Sequence, residues 1–501
     1  MRIRAAIPST AKNGRREDVK PPTKAAPGAE VAATLFAGLF GGFLAVSLLK
    51  FGNPPIFENL VTAPESIEEF VLGSPWPISW GYGLLLVVAV VGLAVASWRN
   101  LGGPRWLLFL PLGWFAWQVV ASLNTISPSL SYPTLAHLGA CLVCFCLGFF
   151  SLSRVRDLTI FWAGLIGGLL LVLAAGWQQR FGGLDDTRQY FFQEIYPKLS
   201  EVSPEYLKKM TSTRIFSTLF YPNALAGAIL LLLPPLLGRL GLARRYFTAP
   251  ARAFLCLLIG GAALACLYWS GSKGGWLLLL LLGIVALLRV RFDKRIKMVL
   301  VTVILIGGLA GFFLKYATFF QKGATSVGAR LDYWRSALQV ASTHPLVGTG
   351  PGTFSIPYQR LKHPESEMAR LVHNDYLEQA SDSGLPGFLT YLGFIAGVLV
   401  CSYPRLPKPV PRPVGRMPED SRASSPASPS VPGPGPKPVE GVVGQGTTAG
   451  WGPFWLWLGL LGWALQGFIE FGLYLPALSW PAFTFLGLLA RNTMDKTRPA
   501  A

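Results

Sequence analysis

Twelve apolar runs, each about 16 to 20 residues long, recur along the 501-residue chain and constrain it more than any other feature. Wound as an α-helix rising about 1.5 Å per residue, a run of that length crosses the ~30 Å hydrocarbon core of a bilayer. They lie at 31–49, 79–98, 106–123, 133–151, 158–177, 219–237, 253–270, 275–290, 298–314, 384–401, 452–470 and 475–490. With 51% hydrophobic and 14% charged residues, the composition excludes a set of soluble domains and a fibrous or disulfide-rich fold. The pattern predicts an all-α polytopic membrane protein of about 12 transmembrane helices with a large, partly helical external loop. The first run follows some thirty polar residues rich in Lys and Arg. It is long and lacks a small-residue cleavage site, so it reads as a retained anchor.

Charge sets the orientation. With a cytoplasmic N-terminus and twelve crossings, the cytoplasmic segments hold 29 of the 44 Lys and Arg and 9 of the 25 Asp and Glu. The basic turns Arg239, Arg244, Arg245, Arg252 and Arg289, Arg291, Lys294, Arg295, Lys297 fall on that same side, as the positive-inside rule requires. The net charge of +19 is thus a topology signal and implies no nucleic-acid partner, since no basic stripe is interleaved with aromatics. The six cysteines lie within or at the ends of the apolar runs, and Cys141, Cys144 and Cys146 have no accompanying ligand cluster. No metal site and no cofactor are expected.

The runs divide the chain into a basic cytoplasmic tail 1–30, a transmembrane core 31–401, a linker 402–450 and a last helix pair with a cytoplasmic C-terminus, 451–501. Rich in Pro, Ser, Gly and Ala, the linker cannot bury a core and reads as disordered. Two long external loops, 178–218 and 315–383, mix aromatics with charge and are the places for chemistry. In the second, Leu331, Trp334, Ala337 and Leu338 have helical spacing, which predicts a short amphipathic helix over 328–338. The string His344–Gly352 is a turn cluster. Asn374 or Asp375 is available to cap a helix that starts after His373.

Four external elements carry candidate site residues. Arg214 precedes the sixth run, Lys273 sits in the turn 270–275, and Arg330 and His373 come from the large loop. Cations at a water–membrane boundary suit a diphosphate, because guanidinium groups bind phosphate oxygens bidentately and stay charged. The same cations could serve only as snorkelling anchors. His373 can take a proton from an attacking hydroxyl near neutral pH, or be a solvated loop histidine. Glu470, a carboxylate near the outer end of the eleventh run, could pair with one of the cations or simply reach the interface. Gly348–Gly352 lacks the Lys-Ser/Thr ending of a phosphate loop, and Asp185-Asp186 reads as a solvated turn.

The combined pattern resembles the O-antigen ligase and O-antigen polymerase superfamily of bacterial envelope proteins. The likeness rests on Arg214 with Phe220-Tyr221-Pro222-Asn223, Ser270-Gly271-Ser272-Lys273-Gly274-Gly275, Arg330 with Trp334, His344-Pro345-Leu346-Val347-Gly348-Thr349-Gly350, and His373-Asn374-Asp375-Tyr376-Leu377. It covers about residues 210 to 400 specifically. The resemblance implies a glycosyltransferase in the inner membrane with its site facing the periplasm, without metal or nucleotide sugar. Its donor would be an undecaprenyl-diphosphate-linked glycan, and its acceptor lipid A-core, a glycan or a protein. By that resemblance Arg214 and Arg330 bind the diphosphate, with Lys273 as a third ligand, and His373 is the general base or the acceptor-positioning residue of an inverting attack. Asn374, Asp375 and Glu470 support them. The family's turn often reads Ser-Arg-Gly, whereas Lys273 here lacks the planar fork. A polymerase of the same superfamily and a small-solute (inorganic carbon) transporter are the alternatives. The transporter is disfavoured because the centres of the runs are mostly Leu, Val, Gly and Phe.

Overall fold

The computed structural model describes residues 27–71, 73, 75–97, 103–190, 192–193, 196, 211–290, 292–321, 325–364, 366–404 and 451–496. The expectations for the tail before residue 27, for 197–210 of the first external loop and for 405–450 of the linker lie outside these residues.

The described residues form helices and no strand. In chain order they are α1 (Pro27–Lys50), α2 (Ile67–Val71), α3 (Ile78–Val95), α4 (Trp106–Leu123), α5 (Pro128–Cys146), α6 (Thr159–Gln178), α7 (Leu184–Tyr190) and α8 (Pro222–Leu242). There follow α9 (Ala249–Ser270), α10 (Lys273–Arg289), α11 (Lys294–Gln321), α12 (Thr325–Thr343), α13 (Ser355–Leu361), α14 (Asp375–Cys401), α15 (Trp451–Gln466) and α16 (Pro476–Lys496). Each of the twelve apolar runs falls on a long helix, because a chain in lipid must satisfy its own backbone hydrogen bonds. Among the described residues nine helices are long and apolar enough to cross a membrane. Of the other three, α10 and α15 are shorter, at 17 and 16 residues, and α16 carries Arg491, Asp495 and Lys496 toward its end.

The main core is a continuous apolar cluster, with α1 packed on α6, α8 on α15, α4 on α14 and α5 on α16. Small residues bring the helices together. A Cβ on Gly164 of α6 would lie 2.7 Å from the backbone carbon of Gly41 on α1, so only glycine permits that approach.

The region between α11 and α14 is more ordered than its sequence predicts. α11 runs on to Gln321 and α14 begins at Asp375, nine residues ahead of the apolar run. The amphipathic segment is a 19-residue helix, α12, and its buried face matches the predicted one in part: Leu331 and Leu338 are exposed. Ala337, which the spacing includes, and Tyr333, which it does not, pack with Phe354, Tyr358, Ala369 and Val372 in a second, small core, and Trp334 packs against it. Aromatic side chains that follow in sequence chose that face, which the spacing of α12 alone does not contain.

α14 is broken at Gly384, whose φ of 71° and ψ of −175° only glycine readily adopts. The turn cluster docks there. Thr349 N–H donates to Ser381 O (3.1 Å), Gly350 N–H to Asp382 O (2.8 Å), Leu385 N–H to Pro345 O (2.8 Å) and Gly352 N–H to Asp382 Oδ2 (2.6 Å). The glycine-rich string therefore turns its amides toward a helix break.

Candidate functional site

The site lies at the end of the bundle where α9 finishes and α10, α8 and α14 begin. Each of these ends is built locally. Ser272 caps α10 through its Oγ, which accepts from Gly275 N–H at 3.2 Å, and Pro222 opens α8 at a position that needs no N–H. Asn374 caps α14, its Oδ1 accepting from Tyr376 N–H (3.1 Å) and Leu377 N–H (3.0 Å). Of the two caps open from sequence, Asn374 is the one used. Asp375 instead ties α14 to the turn after α15, donating its N–H to Gly467 O (2.7 Å) and accepting from Leu473 N–H at Oδ2 (3.0 Å).

Arg214 enters on a segment pinned to α6 and α1. Gln179 Oε1 accepts from Phe216 N–H and Ser217 N–H at 3.0 and 2.7 Å, and Thr218 Oγ1 donates to Leu48 O at 2.7 Å. The Arg214 guanidinium donates to Ser270 O at 2.7 Å and to Asn223 Oδ1 at 2.9 Å. Burial lowers it from the usual arginine range, and Arg330 adds to this, while the Glu470 carboxylate acts the other way.

Glu470 is the hub. It is 7% exposed and lies in the turn between α15 and a 3-10 turn at Gly472–Tyr474. Its Oε1 accepts from Arg330 Nη2 and from Asn223 Nδ2, the latter at 2.5 Å, and its Oε2 is 3.2 Å from His373 Nδ1. Arg330 also donates through Nε to Ile469 O at 3.1 Å. Burial opposes the Glu470 charge, but the His373 hydrogen bond and the Arg330, His373 and Arg214 charges outweigh it and hold the carboxyl below the usual glutamate range. An ionised carboxylate only accepts, so in the neutral imidazole the contact puts the hydrogen on Nδ1 and leaves Nε2 with its lone pair. The ring is clamped between Tyr333, stacked at 5.8 Å between centroids, and Phe471, edge-on at 4.7 Å.

His373 holds a left-handed φ of 56°. Among the described residues the other non-glycine positions with positive φ are Ser217 and Phe220, on the segment that carries Arg214. Strain of this kind persists only where the surroundings enforce it, and it gathers at functional sites.

The structure thus joins Arg214, Arg330, His373 and Glu470 in one network, with Asn374 and Asp375 as its backbone supports. Lys273 begins α10 beside this network, its Nζ 5.2 Å from the Tyr316 ring centroid. Asp185 and Asp186 lie in the first turn of α7 and not in a solvated turn, and Asp185 pairs with Arg188 at 2.6 Å. Four residues went unread from sequence: Asn223 as the link between Arg214 and Glu470, Tyr333 and Phe471 around the ring, and Gln466, which donates to Asn223 O at 2.8 Å. Glu378, Gln379 and Asp382, fully buried near the start of α14, were missed too, although three polar residues leading into a membrane span are a costly and readable signal.

The Glu470 shift predicts an acid effect with a definite sign. A carboxyl held low in the folded protein stabilises it above the unfolded glutamate value, about 4.3, and loses that contribution as pH falls through the folded value. The wild type should unfold at a higher temperature than Glu470→Gln at pH 7, and the gap should narrow as pH falls below about 4.3. A gap independent of pH would show that the carboxylate charge does not hold the network.

A helical bundle with this many apolar spans is a multi-pass membrane protein. Residues 255–392, from α9 into α14, match the family described as O-Antigen ligase, in keeping with the resemblance to the O-antigen ligase and polymerase superfamily. Lys273, Arg330 and His373 fall inside the matched residues, and Arg214 and Glu470 outside them. The chain is also similar to a Haemophilus influenzae protein described as uncharacterized, 30% identical over 150 residues. The match takes in 25% of this chain and spans 37% of that protein's length.

Proposed function

We propose that the protein is an O-antigen ligase-type glycosyltransferase of the bacterial inner membrane. Both termini are cytoplasmic, the site faces the periplasm, and a glycan moves from an undecaprenyl-diphosphate carrier to an acceptor hydroxyl of lipid A-core or a similar molecule. The observation that carries this reading is the Glu470 hub, which holds a histidine in the tautomer of a base beside two arginines.

Chemically, the acceptor oxygen attacks the anomeric carbon and passes its proton to His373 Nε2. The carbon–oxygen bond to the diphosphate breaks on the opposite face, so configuration inverts, and the bonding pair leaves with the diphosphate. Arg214 and Arg330, with Lys273 as a further cation, neutralise the charge that builds there. The imidazolium formed rests against Glu470, and no metal or cofactor enters the step.

Transport would require polar groups near the bilayer midplane. Glu378 and Asp382 precede the break at Gly384, and the apolar length 385–401 that follows, about 25 Å at ~1.5 Å per residue, nearly spans the hydrocarbon core by itself. That argues for carboxylates at the edge of the bilayer and against the transporter.

The test is transfer by purified protein from an undecaprenyl-diphosphate-linked oligosaccharide, with lipid A-core or further carrier-linked repeats as acceptor. Arg214→Ala and Arg330→Ala should each lower turnover by about 10²–10³ and weaken carrier binding. Wild-type rates in both variants, shown to be folded, would move the site elsewhere. Glycan on lipid A-core identifies a ligase, and a ladder on the carrier identifies a polymerase.

A further inference from the structure

We infer that Glu470 is an internal stand-in for the donor's diphosphate, occupying the arginine site between turnovers and moving wholly to His373 when a diphosphate arrives; this rests on the function proposed above. Three observations carry it. First, the carboxylate sits where an anionic group would, with Oε1 on Arg330 and Asn223, and Asn223 Oδ1 holding Arg214 at 2.9 Å. Carboxylate and phosphate share the acceptor geometry that guanidinium recognises, so one can replace the other on the same donors. A buried carboxylate also keeps two like-charged guanidinium groups together while no substrate is present.

Second, the backbone under Glu470 is fixed on three sides. Ile469 O accepts from Arg330 Nε, Gly467 O accepts from Asp375 N–H, and Leu473 N–H donates to Asp375 Oδ2. Displacement is therefore a side-chain rotation. A small cavity lined by Asn223, Gln466, Phe471, Gly472 and Leu478 adjoins the carboxylate and gives it room.

Third, the two carboxylate oxygens have different partners. Oε1 belongs to the anion site and Oε2 to His373 Nδ1, at 3.2 Å. A diphosphate that takes Arg330 strips Oε1 of its strongest donor and leaves the negative charge on the imidazole alone. A diphosphate in the arginine site thereby places the Glu470 charge against the imidazole that takes the acceptor's proton.

This role makes binding and turnover respond with opposite signs. In Glu470→Gln the competing charge is gone, so a diphosphate binds more tightly. Arg330 Nη2 and Asn223 Nδ2 both donate, so they retain the amide oxygen, and the amide NH₂ faces His373 Nδ1. The imidazole then carries its hydrogen on Nε2 and cannot act as base. A glutamate that merely anchored Arg330 would, when neutralised, weaken binding and turnover together.

The experiment titrates farnesyl diphosphate into the full-length protein in lipid nanodiscs and measures transfer on the same samples. Glu470→Gln should lower Kd by about tenfold and kcat by about 10²–10⁴. Glu470→Asp keeps the charge but shortens the reach. It should leave Kd within about twofold while kcat falls at least about tenfold, and it decides the matter if Glu470→Gln does not fold. Kd unchanged or raised in Glu470→Gln, or a Glu470→Asp protein with wild-type kcat, overturns the stand-in role. Arg214→Ala and Arg330→Ala separate the two levels. If both bind farnesyl diphosphate as the wild type does, the site itself is misassigned; if both lose binding and Glu470→Gln gains none, only the stand-in role falls.

Discussion

Replacing His373 with alanine is expected to lower kcat by about 10²–10⁴ while leaving carrier binding within a fewfold of the wild type. The split follows from the geometry. Arg214 and Arg330 are held by Ser270 O, Asn223, Ile469 O and Glu470, and none of these contacts involves the imidazole. Removing the ring deletes the Nε2 lone pair and the partner of Glu470 Oε2, while the arginine contacts and the donors to Glu470 Oε1 remain. Two controls sharpen the result. His373→Asn keeps a residue that tolerates the left-handed φ of 56°, so loss of activity in both variants traces to the base and not to relaxed backbone strain. Free imidazole should restore part of the rate to His373→Ala, as the ring leaves a gap between Tyr333 and Phe471. A folded His373→Ala protein with wild-type kcat would remove His373 from the mechanism.

Gly384→Ala is expected to be the most damaging single substitution for folding. The φ of 71° and ψ of −175° cost a non-glycine residue about 1–3 kcal/mol in backbone strain. A Cβ there would in addition overlap the carbonyl oxygen of Leu346 and come within 2.7 Å of Pro345 O, both backbone atoms that are themselves held by the docked turn. No side-chain rotation relieves this. The break in α14 must straighten or the 345–352 turn must leave, and either movement shifts the segment that presents His373 and Asn374. Yield of folded, monodisperse protein and its melting temperature read the effect directly. Gly283→Ala and Gly307→Ala, where an added Cβ meets nothing within 4 Å, should behave as the wild type. A Gly384→Ala protein with normal yield and melting temperature would show that the break is dispensable.

The legibility of this chain in its sequence divides along a physical line. Helical spans could be read because lipid leaves the backbone no partner but itself, so the length of an apolar run is nearly sufficient to define a helix. The Asn374 cap could be read because a cap is a contact between a residue and its next two or three neighbours. Candidate cations and His373 could be named from their residue types and from the family likeness. Their connections could not: Glu470 meets His373 across 97 residues, Arg330 across 140 and Asn223 across 247. Contacts at such separations depend on how α8, α12, α14 and α15 pack against one another, and no local pattern encodes those angles. The buried face of α12 shows the same limit, since of the residues at helical spacing Trp334 and Ala337 found partners, Leu331 and Leu338 stayed exposed, and Tyr333, outside that spacing, joined the core. By itself the sequence determined an all-helical membrane protein and the residue types its chemistry can draw on. Only the tertiary structure decided that Glu470 is the hub, because one carboxylate had to be buried among several donors before its charge could organise them.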